Sequence, residues 1–191
     1  PGGHLNLAVL HANRGDPEAA EKAYWTALRM DPDFLPARAN LANLYNGMGR
    51  NDAAERVLRE GIERAPEEGE LHYSLGLLLA EEKRLEEAAG ALGRAAELLP
   101  DRARVRYNHA LALQQLGRRT EAGAALRQAR RIDPRDPGIA YALAVFYVQQ
   151  GQWELALPHA RDLLALAPGE PEPRQLLQSI ERELAAERSG R

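Results

Sequence analysis

Apolar side chains recur along this chain at intervals of three and four residues, the spacing that places them on one face of an α-helix. Two segments with this spacing contain the sets Leu41, Leu44, Tyr45 and Leu75, Leu78, Leu79. No segment alternates β-branched and polar residues in the way that is typical of a half-buried strand. The pattern therefore predicts an all-α protein whose helices turn their polar faces to water.

A second, longer period organises these helices, because five prolines stand 34 residues apart. They are Pro32, Pro66, Pro100, Pro134 and Pro168. A repeat of this length is typical of a solenoid, in which each unit buries its apolar face only against its neighbours. With each proline as the thirty-second position, the predicted repeats cover residues 1–34, 35–68, 69–102, 103–136 and 137–170.

Small residues occupy fixed positions in these repeats and indicate closely packed helical hairpins. The eighth position holds Ala8, Ala42, Gly76, Ala110 and Ala144, and the twentieth holds Ala20, Ala54, Ala88, Ala122 and Ala156. A leucine at either position would overpack the contact between the two helices, at a cost of roughly 1–3 kcal/mol. The fifteenth position suits the left-handed residue that ends a helix. It holds Gly15, Gly49, Lys83, Gly117 and Gly151.

Each repeat is therefore expected to contain two antiparallel helices, the second of which ends before the proline. The predicted helices cover residues 3–14 and 17–30, 35–48 and 51–64, 69–82 and 85–98, 103–116 and 119–132, and 137–150 and 153–166, followed by a final helix at about 172–187.

This arrangement resembles the tetratricopeptide repeat, whose pattern has small residues at positions 8, 20 and 27, a large apolar residue at 24 and proline at 32. The resemblance covers residues 1–170 and implies an α-solenoid, a right-handed superhelix of hairpins that serves as a protein–protein interaction module. Residues 171–191 are expected to form a C-terminal capping helix and a short tail. The fifth repeat departs from the pattern at Ala160 and Leu163, and Pro158 falls inside its second helix. We expect irregular packing there, because an interior proline removes a backbone hydrogen bond and kinks a helix.

The two ends of the predicted array differ. The final helix has an apolar stripe opposite a charged face, as a terminal cap requires: Leu176, Leu177, Ile180 and Leu184. The first helix carries Leu5, Leu7, Val9 and Leu10, with nothing ahead of them in this sequence to cover them. We expect this edge to meet an upstream region or a second copy of the chain. The start at Pro-Gly-Gly, without methionine, suggests a fragment or a processed product.

The resemblance also implies a concave groove, lined by positions 2, 5, 6, 9, 12 and 13 of each first helix. Amides that recur there offer donors and acceptors to a peptide backbone, and tyrosines offer rigid apolar area with a polar tip. The candidate peptide-binding residues are Asn40, Asn43, Asn46, Tyr73, Arg104, Tyr107, Asn108, Gln114, Gln115, Tyr141 and Gln149. The same residue types are common in the general repeat pattern, so a role in stacking and solubility is the competing interpretation.

Charge and composition narrow the function classes. The net charge of −3 does not favour nucleic acid as a partner, and no apolar run is long enough to predict membrane insertion. The fourth repeat is a basic island, interpreted as a solvated convex face or as a docking patch for an acidic partner. It contains Arg104, Arg106, Arg118, Arg119, Arg127, Arg130, Arg131 and Arg135. The excess of arginine over lysine is typical of a GC-rich bacterial genome.

No reactive constellation is visible, so we predict neither catalytic residues nor a cofactor nor a metal site. Cysteine is absent, and the five histidines lack the spacing of converging metal ligands. Two alternatives to a peptide-binding module remain. The chain is similar to the repeat regions that accompany multihaem cytochrome-type redox proteins of bacteria, although it contains no CxxCH motif, and it also fits a self-assembling structural scaffold. Either the bacterial cytoplasm or the periplasm is compatible with the sequence.

Overall fold

The computed structural model describes residues 1–189, and within this range the chain forms eleven α-helices and no β-strand. This range divides into two compact units, residues 1–100 and 101–189. Residues 190 and 191, the end of the predicted tail, lie outside the described range.

The first unit consists of three helical hairpins. Its helices are α1 (Gly2–Asn13), α2 (Pro17–Met30), α3 (Leu35–Gly47), α4 (Asn51–Arg64), α5 (Gly69–Glu81) and α6 (Leu85–Leu98). Consecutive helices pack against each other from α1 to α6. The first helices of neighbouring hairpins also touch, α1 with α3 and α3 with α5, so these three helices lie side by side on one face of the unit.

The second unit contains two hairpins and a final helix. Its helices are α7 (Ala103–Gln115), α8 (Arg119–Ile132), α9 (Pro137–Val148), α10 (Trp153–Leu166) and α11 (Pro171–Ser189). The apolar stripe predicted for the last helix is confirmed, because Ile180 and Leu184 are buried where α11 packs on α10. In both units the observed helix ends lie within about two residues of the predicted ones.

The two helices of each hairpin pack closely because small residues occupy the positions where they touch. All five alanines at the twentieth position are buried, and so is the eighth position in every repeat. At Gly76 even a methyl group would not fit, since a Cβ atom there would lie 2.6 Å from Cγ of Leu92. The predicted requirement for small residues is therefore confirmed.

The turn inside each hairpin has the same backbone geometry in all five cases. The four glycines at the fifteenth position have φ between 66° and 76°, and Lys83 adopts the same left-handed conformation with φ of 65°. The residue that follows donates its N–H to the carbonyl of the eleventh position at 2.8–3.0 Å, as in Gln152 to Tyr147. This is the Schellman arrangement that satisfies the last carbonyls of a helix.

The expected irregularity around Pro158 is not observed at the level of the helix, because α10 runs from Trp153 to Leu166 without interruption. Pro158 lies on its exposed side. Ala160 and Leu163 are both buried, and they exchange the large and small side chains that the other repeats place at positions 24 and 27. Since the exchange keeps the total side-chain volume, the core stays filled.

One charged side chain is buried within residues 1–189, and it joins two hairpins of the first unit. Arg38 of α3 is 4 % exposed and donates to the carbonyl oxygens of Pro32 at 2.8 Å and Val57 at 3.3 Å. The Arg38 side chain has room because residue 61 is glycine: a Cβ atom there would lie 2.4 Å from Cδ of Arg38. The methylene carbons of Arg38 thus fill the space beside Gly61, and its guanidinium satisfies two backbone carbonyls where the two hairpins meet.

Candidate peptide-binding groove

An open groove of about 750 Å³ lies in the first unit, between α3 and α5. Its walls come from the groove positions predicted for the first helix of each repeat. α3 contributes Pro36, Ala39, Asn43 and Asn46, and α5 contributes Glu70, Tyr73, Ser74, Leu77 and Glu81. These residues converge because side chains three and four positions apart share one face of a helix.

The groove is deep because its walls are made of small residues near the helix contact. Ala39, Ala42 and Ser74 leave space between the larger side chains, and Ala54 and Leu58 of α4 close the floor. Leu77 remains 40 % exposed and offers an apolar surface to a bound molecule. The groove therefore combines an apolar floor with polar groups along its walls.

The wall formed by α3 is fixed by hydrogen bonds to α2. The indole N–H of Trp25 donates to the hydroxyl oxygen of Tyr45 at 3.0 Å, and that hydroxyl donates to Glu21 at 2.6 Å. Burial and the hydrogen bond to Glu21 raise the pKa of Tyr45. The guanidinium of Arg50 lies 4.5 Å from the centre of the Tyr45 ring and donates to Glu21 at 2.8 Å. The phenol thus links the two helices and stays protonated.

The helix that supplies the floor, α4, is tied to α6 by charged groups. Arg84 reaches Glu55 through two nitrogens, at 2.6 Å and 3.1 Å, and also donates to Glu87 at 2.7 Å. Arg59 donates to Glu55 at 2.7 Å. Hydrogen bonds from Arg84 lower the pKa of Glu55, against the opposing effect of its burial. The carboxylate is therefore held ionised between the two helices.

The predicted groove residues of the first unit are partly brought together. Asn43, Asn46 and Tyr73 line the groove, whereas Asn40 is half-buried on α3 outside the lining. Asn43 is exposed, and the amide of Asn46 donates to the carboxylate of Glu81 across the groove at 3.0 Å. Asn43 and Asn46 thus present their amides from the wall formed by α3, and Tyr73 lies on the opposite wall, formed by α5.

The remaining candidates belong to the second unit and lie on two helices or at their ends. Arg104, Tyr107, Asn108, Gln114 and Gln115 are on α7, Tyr141 is on α9, and Gln149 is the residue that caps the C-terminal end of α9. The guanidinium of Arg104 lies 5.8 Å from the centre of the Tyr107 ring, within the range of a cation–π contact. Tyr141 and Gln149 are exposed.

Of the residues that line the groove in the first unit, sequence reasoning named only Asn43, Asn46 and Tyr73 as candidates. Glu68, Leu77 and Glu81 line it but were not among the candidates. Leu77 and Glu81 stand at groove positions 9 and 13 of the third repeat, so the repeat register contained the signal. Glu68 precedes the first turn of α5, and only the fold brings it to the groove.

The basic island of the fourth repeat is partly neutralised within the second unit. Arg118, the N-cap residue of α8, pairs with Glu121 in the first turn of that helix, and Arg130 donates to Asp162 of α10 at 2.6 Å. Arg127 donates to the hydroxyl of Tyr147 at 3.4 Å. These contacts favour the interpretation of this region as a structural and solvated face.

In residues 1–189 no group of three or more His, Asp or Glu side chains is arranged to hold a metal ion. None of the helices in this range combines the length and the apolar composition that crossing a bilayer requires.

Ten of the eleven helices in residues 1–189 form hairpins with a 34-residue period, and a groove lies between the first helices α3 and α5. Residues 1–189 match the family described as the cilia and flagella-associated protein 70 C-terminal domain, a tetratricopeptide-repeat family. The chain belongs to this family. The matched range includes every residue that the structure describes. No curated protein matches the chain.

Solved structures of tetratricopeptide-repeat proteins share the fold. A crystal structure of MamA is 22 % identical over 85 % of this chain and 95 % of its own, with a TM-score of 0.76. MamA from Desulfovibrio magneticus RS-1 is 19 % identical over 88 % and 95 %, with a TM-score of 0.75. YrrB, described as a TPR protein with an unusual peptide-binding site, is 23 % identical over 94 % and 90 %, with a TM-score of 0.73. The chain is thus an all-α tetratricopeptide-repeat protein of the α-solenoid class.

Proposed function

We propose that this chain is a protein–protein interaction module that binds a peptide, or an extended segment of a protein, in the groove between α3 and α5. The observation that carries the proposal is the groove itself, about 750 Å³ in volume, with an apolar floor and amides on one wall. Its volume lies within the range of sites that enclose much of a small ligand. Its open form suits a chain that continues beyond the groove at both ends.

The chemistry of the walls suits the two components of a peptide. Asn43 offers both a donor and an acceptor, which can pair with the N–H and C=O groups of a bound backbone. Leu77 and the floor residue Leu58 offer apolar area to one or two side chains of the partner. Tyr73 adds a rigid ring with a polar tip, a residue type enriched at interfaces.

The structural neighbours support a binding role of this kind. YrrB is described as having a peptide-binding site, and it shares the helical-hairpin fold. We infer that the function of this chain is likewise binding and not catalysis. The polar groups of its groove are amides, carboxylates, a tyrosine and a serine, without a paired nucleophile and base.

The proposal is tested by selecting random twelve-residue peptides, displayed on phage, for binding to the whole chain. The affinity of each recovered peptide is then measured for the wild type, Leu77→Gln and Leu155→Gln. Leu155 is the matched control, because it is a leucine of similar exposure, 51 % against 40 %, on helix α10. We expect Leu77→Gln to lower the affinity roughly tenfold, because an apolar contact is lost, and Leu155→Gln to leave it unchanged.

Equal affinity of all recovered peptides for the wild type and Leu77→Gln would contradict binding in this groove. Circular dichroism is the control for folding. If both variants have the same helical content as the wild type, a loss of affinity does not come from unfolding.

The candidates on α7 and α9 form a second set, which we propose to contact a partner as well. Tyr107→Ala combined with Asn108→Ala removes one ring and one amide from α7, and we expect the affinity for a natural partner captured with the wild-type chain to fall. An unchanged affinity in surface plasmon resonance would limit partner contact to the first unit or to another face.

The exposed apolar side chains of α1 favour a second binding surface. Leu7, Val9 and Leu10 are 36–44 % exposed, while Leu5 is half-buried. We propose that this edge associates with a second copy or with another domain of the parent protein. For self-association, sedimentation velocity should show a concentration-dependent increase in mass that Leu7→Gln with Leu10→Gln abolishes. A monomer at every concentration rejects the second copy as the partner.

A further inference from the structure

The groove between α3 and α5 has a charge of one sign. We propose that it selects segments that carry lysine or arginine on both sides of an apolar centre. This inference rests on the proposed function and adds the chemical class of the partner.

The lining of the groove contains carboxylates and no basic side chain. Glu68 and Glu81 line it, and its other residues include no Lys, Arg or His. Glu70 also lines the groove and already interacts with another group of the protein. The charge preference is assigned to Glu68 and Glu81 because they stand at the two ends of α5. A cationic partner would face two carboxylates without an opposing positive charge from the lining.

The two glutamates stand at opposite ends of α5. Glu68 precedes the helix and Glu81 is its last residue, so they are about 20 Å apart along its axis at 1.5 Å per residue. An extended segment that follows α5 spans this distance with about six residues at 3.3 Å each. Because lysine and arginine side chains are long, cations about four to seven residues apart can reach both carboxylates.

Between these ends the floor of the groove is apolar, and Asn43, Tyr73 and Ser74 stand on its walls. Leu77 is exposed in the groove, whose lining also includes Ala42, Leu58 and Leu78. A segment with cations at its ends and leucine-like side chains between them would therefore match the groove along its whole length.

The carboxylate of Glu81 is already positioned. The amide of Asn46 donates to one of its oxygens at 3.0 Å and fixes the side chain across the groove. A carboxylate oxygen has more than one lone pair, and the second oxygen remains able to accept from a partner cation. Asn46, which the sequence suggested as a backbone-binding amide, then acts by orienting Glu81.

The experiment compares charge on both sides of the interface. Twelve-residue phage-displayed peptides are selected on the whole chain, and those whose affinity falls with Leu77→Gln are sequenced. We expect them to be enriched in lysine and arginine at two positions about four to seven residues apart. Synthetic versions of the tightest peptide are then measured with these cations kept or replaced by glutamine.

The matched protein variants are Glu68→Gln with Glu81→Gln, and Glu63→Gln with Glu86→Gln. Both pairs change the net charge by the same amount, but Glu63 and Glu86 are exposed residues outside the groove lining. We expect the first pair to lower the affinity for the cationic peptide roughly tenfold and the second pair to have a much smaller effect. The glutamine version of the peptide should not respond to either pair, and added salt should weaken the cationic version alone.

Four results would overturn the inference. If groove-dependent peptides are neutral or acidic, or if both variant pairs weaken binding equally, the groove binds peptides without the proposed charge preference, and only the proposed function stands. If no recovered peptide depends on Leu77, the proposed function fails as well. If peptides bind only after Leu7→Gln with Leu10→Gln has removed self-association, the occupant is α1 of a second copy.

Discussion

Lys83 is the residue that departs most clearly from the requirements of its position. It stands in the left-handed conformation that glycine adopts in the four equivalent turns, with φ of 65°. This backbone conformation costs a residue with a side chain roughly 1 kcal/mol. The Schellman hydrogen bonds are nevertheless formed, from Lys83 to Ala80 at 3.1 Å and from Arg84 to Leu79 at 2.9 Å.

We therefore expect Lys83→Gly to raise the free energy of unfolding by about 0.5–1 kcal/mol. Urea denaturation followed by circular dichroism measures the change. The matched control is Lys22→Gly in the interior of α2, which should lower the same quantity by about 1 kcal/mol. A loss of stability in Lys83→Gly would show that the side chain makes a contact that outweighs the backbone strain.

Gly61 shows the opposite case, a glycine that is needed for space. It lies inside α4, where alanine is the better helix former, but a Cβ atom would lie 2.4 Å from Arg38 Cδ and 2.9 Å from Leu71 Cδ1. We expect Gly61→Ala to lower the free energy of unfolding by about 1–3 kcal/mol. Thermal denaturation is a suitable measurement.

Gly90→Ala is the control for this prediction, because Gly90 lies in α6 with nothing within 4 Å of a Cβ atom. It should gain up to about 1 kcal/mol from helix propensity alone. If both substitutions stabilise the chain, the buried guanidinium moves easily and the junction is not tightly packed.

Some individual residues could be predicted from the sequence, and others could not. Glycine at the fifteenth position and alanine at the twentieth were predictable, since the same backbone requirement returns in every repeat. The pair of Arg38 and Gly61 was not, because it occurs once and depends on two residues that are 23 positions apart in the chain. A repeat pattern reports what the repeats share and is silent on individual exchanges.

Among the elements, α4 and α6 are joined by a network whose strength depends on pH. Arg84 holds Glu55 ionised and lowers its pKa below the usual value near 4.5. In the unfolded chain this carboxyl takes up its proton at the higher pH. Its contribution to stability is therefore fully present above about pH 4.5 and is lost as the pH falls through the lower pKa of the folded state.

We expect the free energy of unfolding of the wild type to fall more steeply between about pH 7 and about pH 3 than that of Glu55→Gln. Urea titrations at several pH values give the two slopes. Glu63→Gln replaces an exposed carboxylate about two turns further along the same helix and should keep the slope of the wild type. Equal slopes for the wild type and Glu55→Gln would mean that Arg84 does not stabilise the ionised form.

Helix positions were the most predictable feature at this scale, because apolar spacing and the proline interval both indicate them. The continuity of α10 through Pro158 was not predictable from the proline alone. The ring of Pro158 lies on the exposed side of the helix, whereas Ala160 and Leu163 are buried on its packed side. Local rules for proline describe an isolated helix, whereas packing of the opposite face decides whether the helix continues.

For the molecule as a whole, the repeat register predicted both the fold and part of the candidate site. We propose the same repeat boundaries, from 1–34 to 137–170 with a capping helix after them, since each hairpin lies inside one repeat. Asn43, Asn46 and Tyr73 line the groove as the resemblance implied. Glu68 was not predicted because it is the last residue of the second repeat, outside the first-helix positions that the resemblance assigns to the groove.

Nuclear magnetic resonance tests directly whether the first unit binds peptides between α3 and α5. An isotope-labelled sample of the chain is titrated with an unlabelled peptide from the selection, and the shifted backbone and side-chain amide signals are assigned. We expect the largest shifts to belong to Asn43, Asn46, Tyr73, Ser74 and Leu77. Shifts confined to α1 or to the second unit, with these five signals unchanged, would contradict binding between α3 and α5.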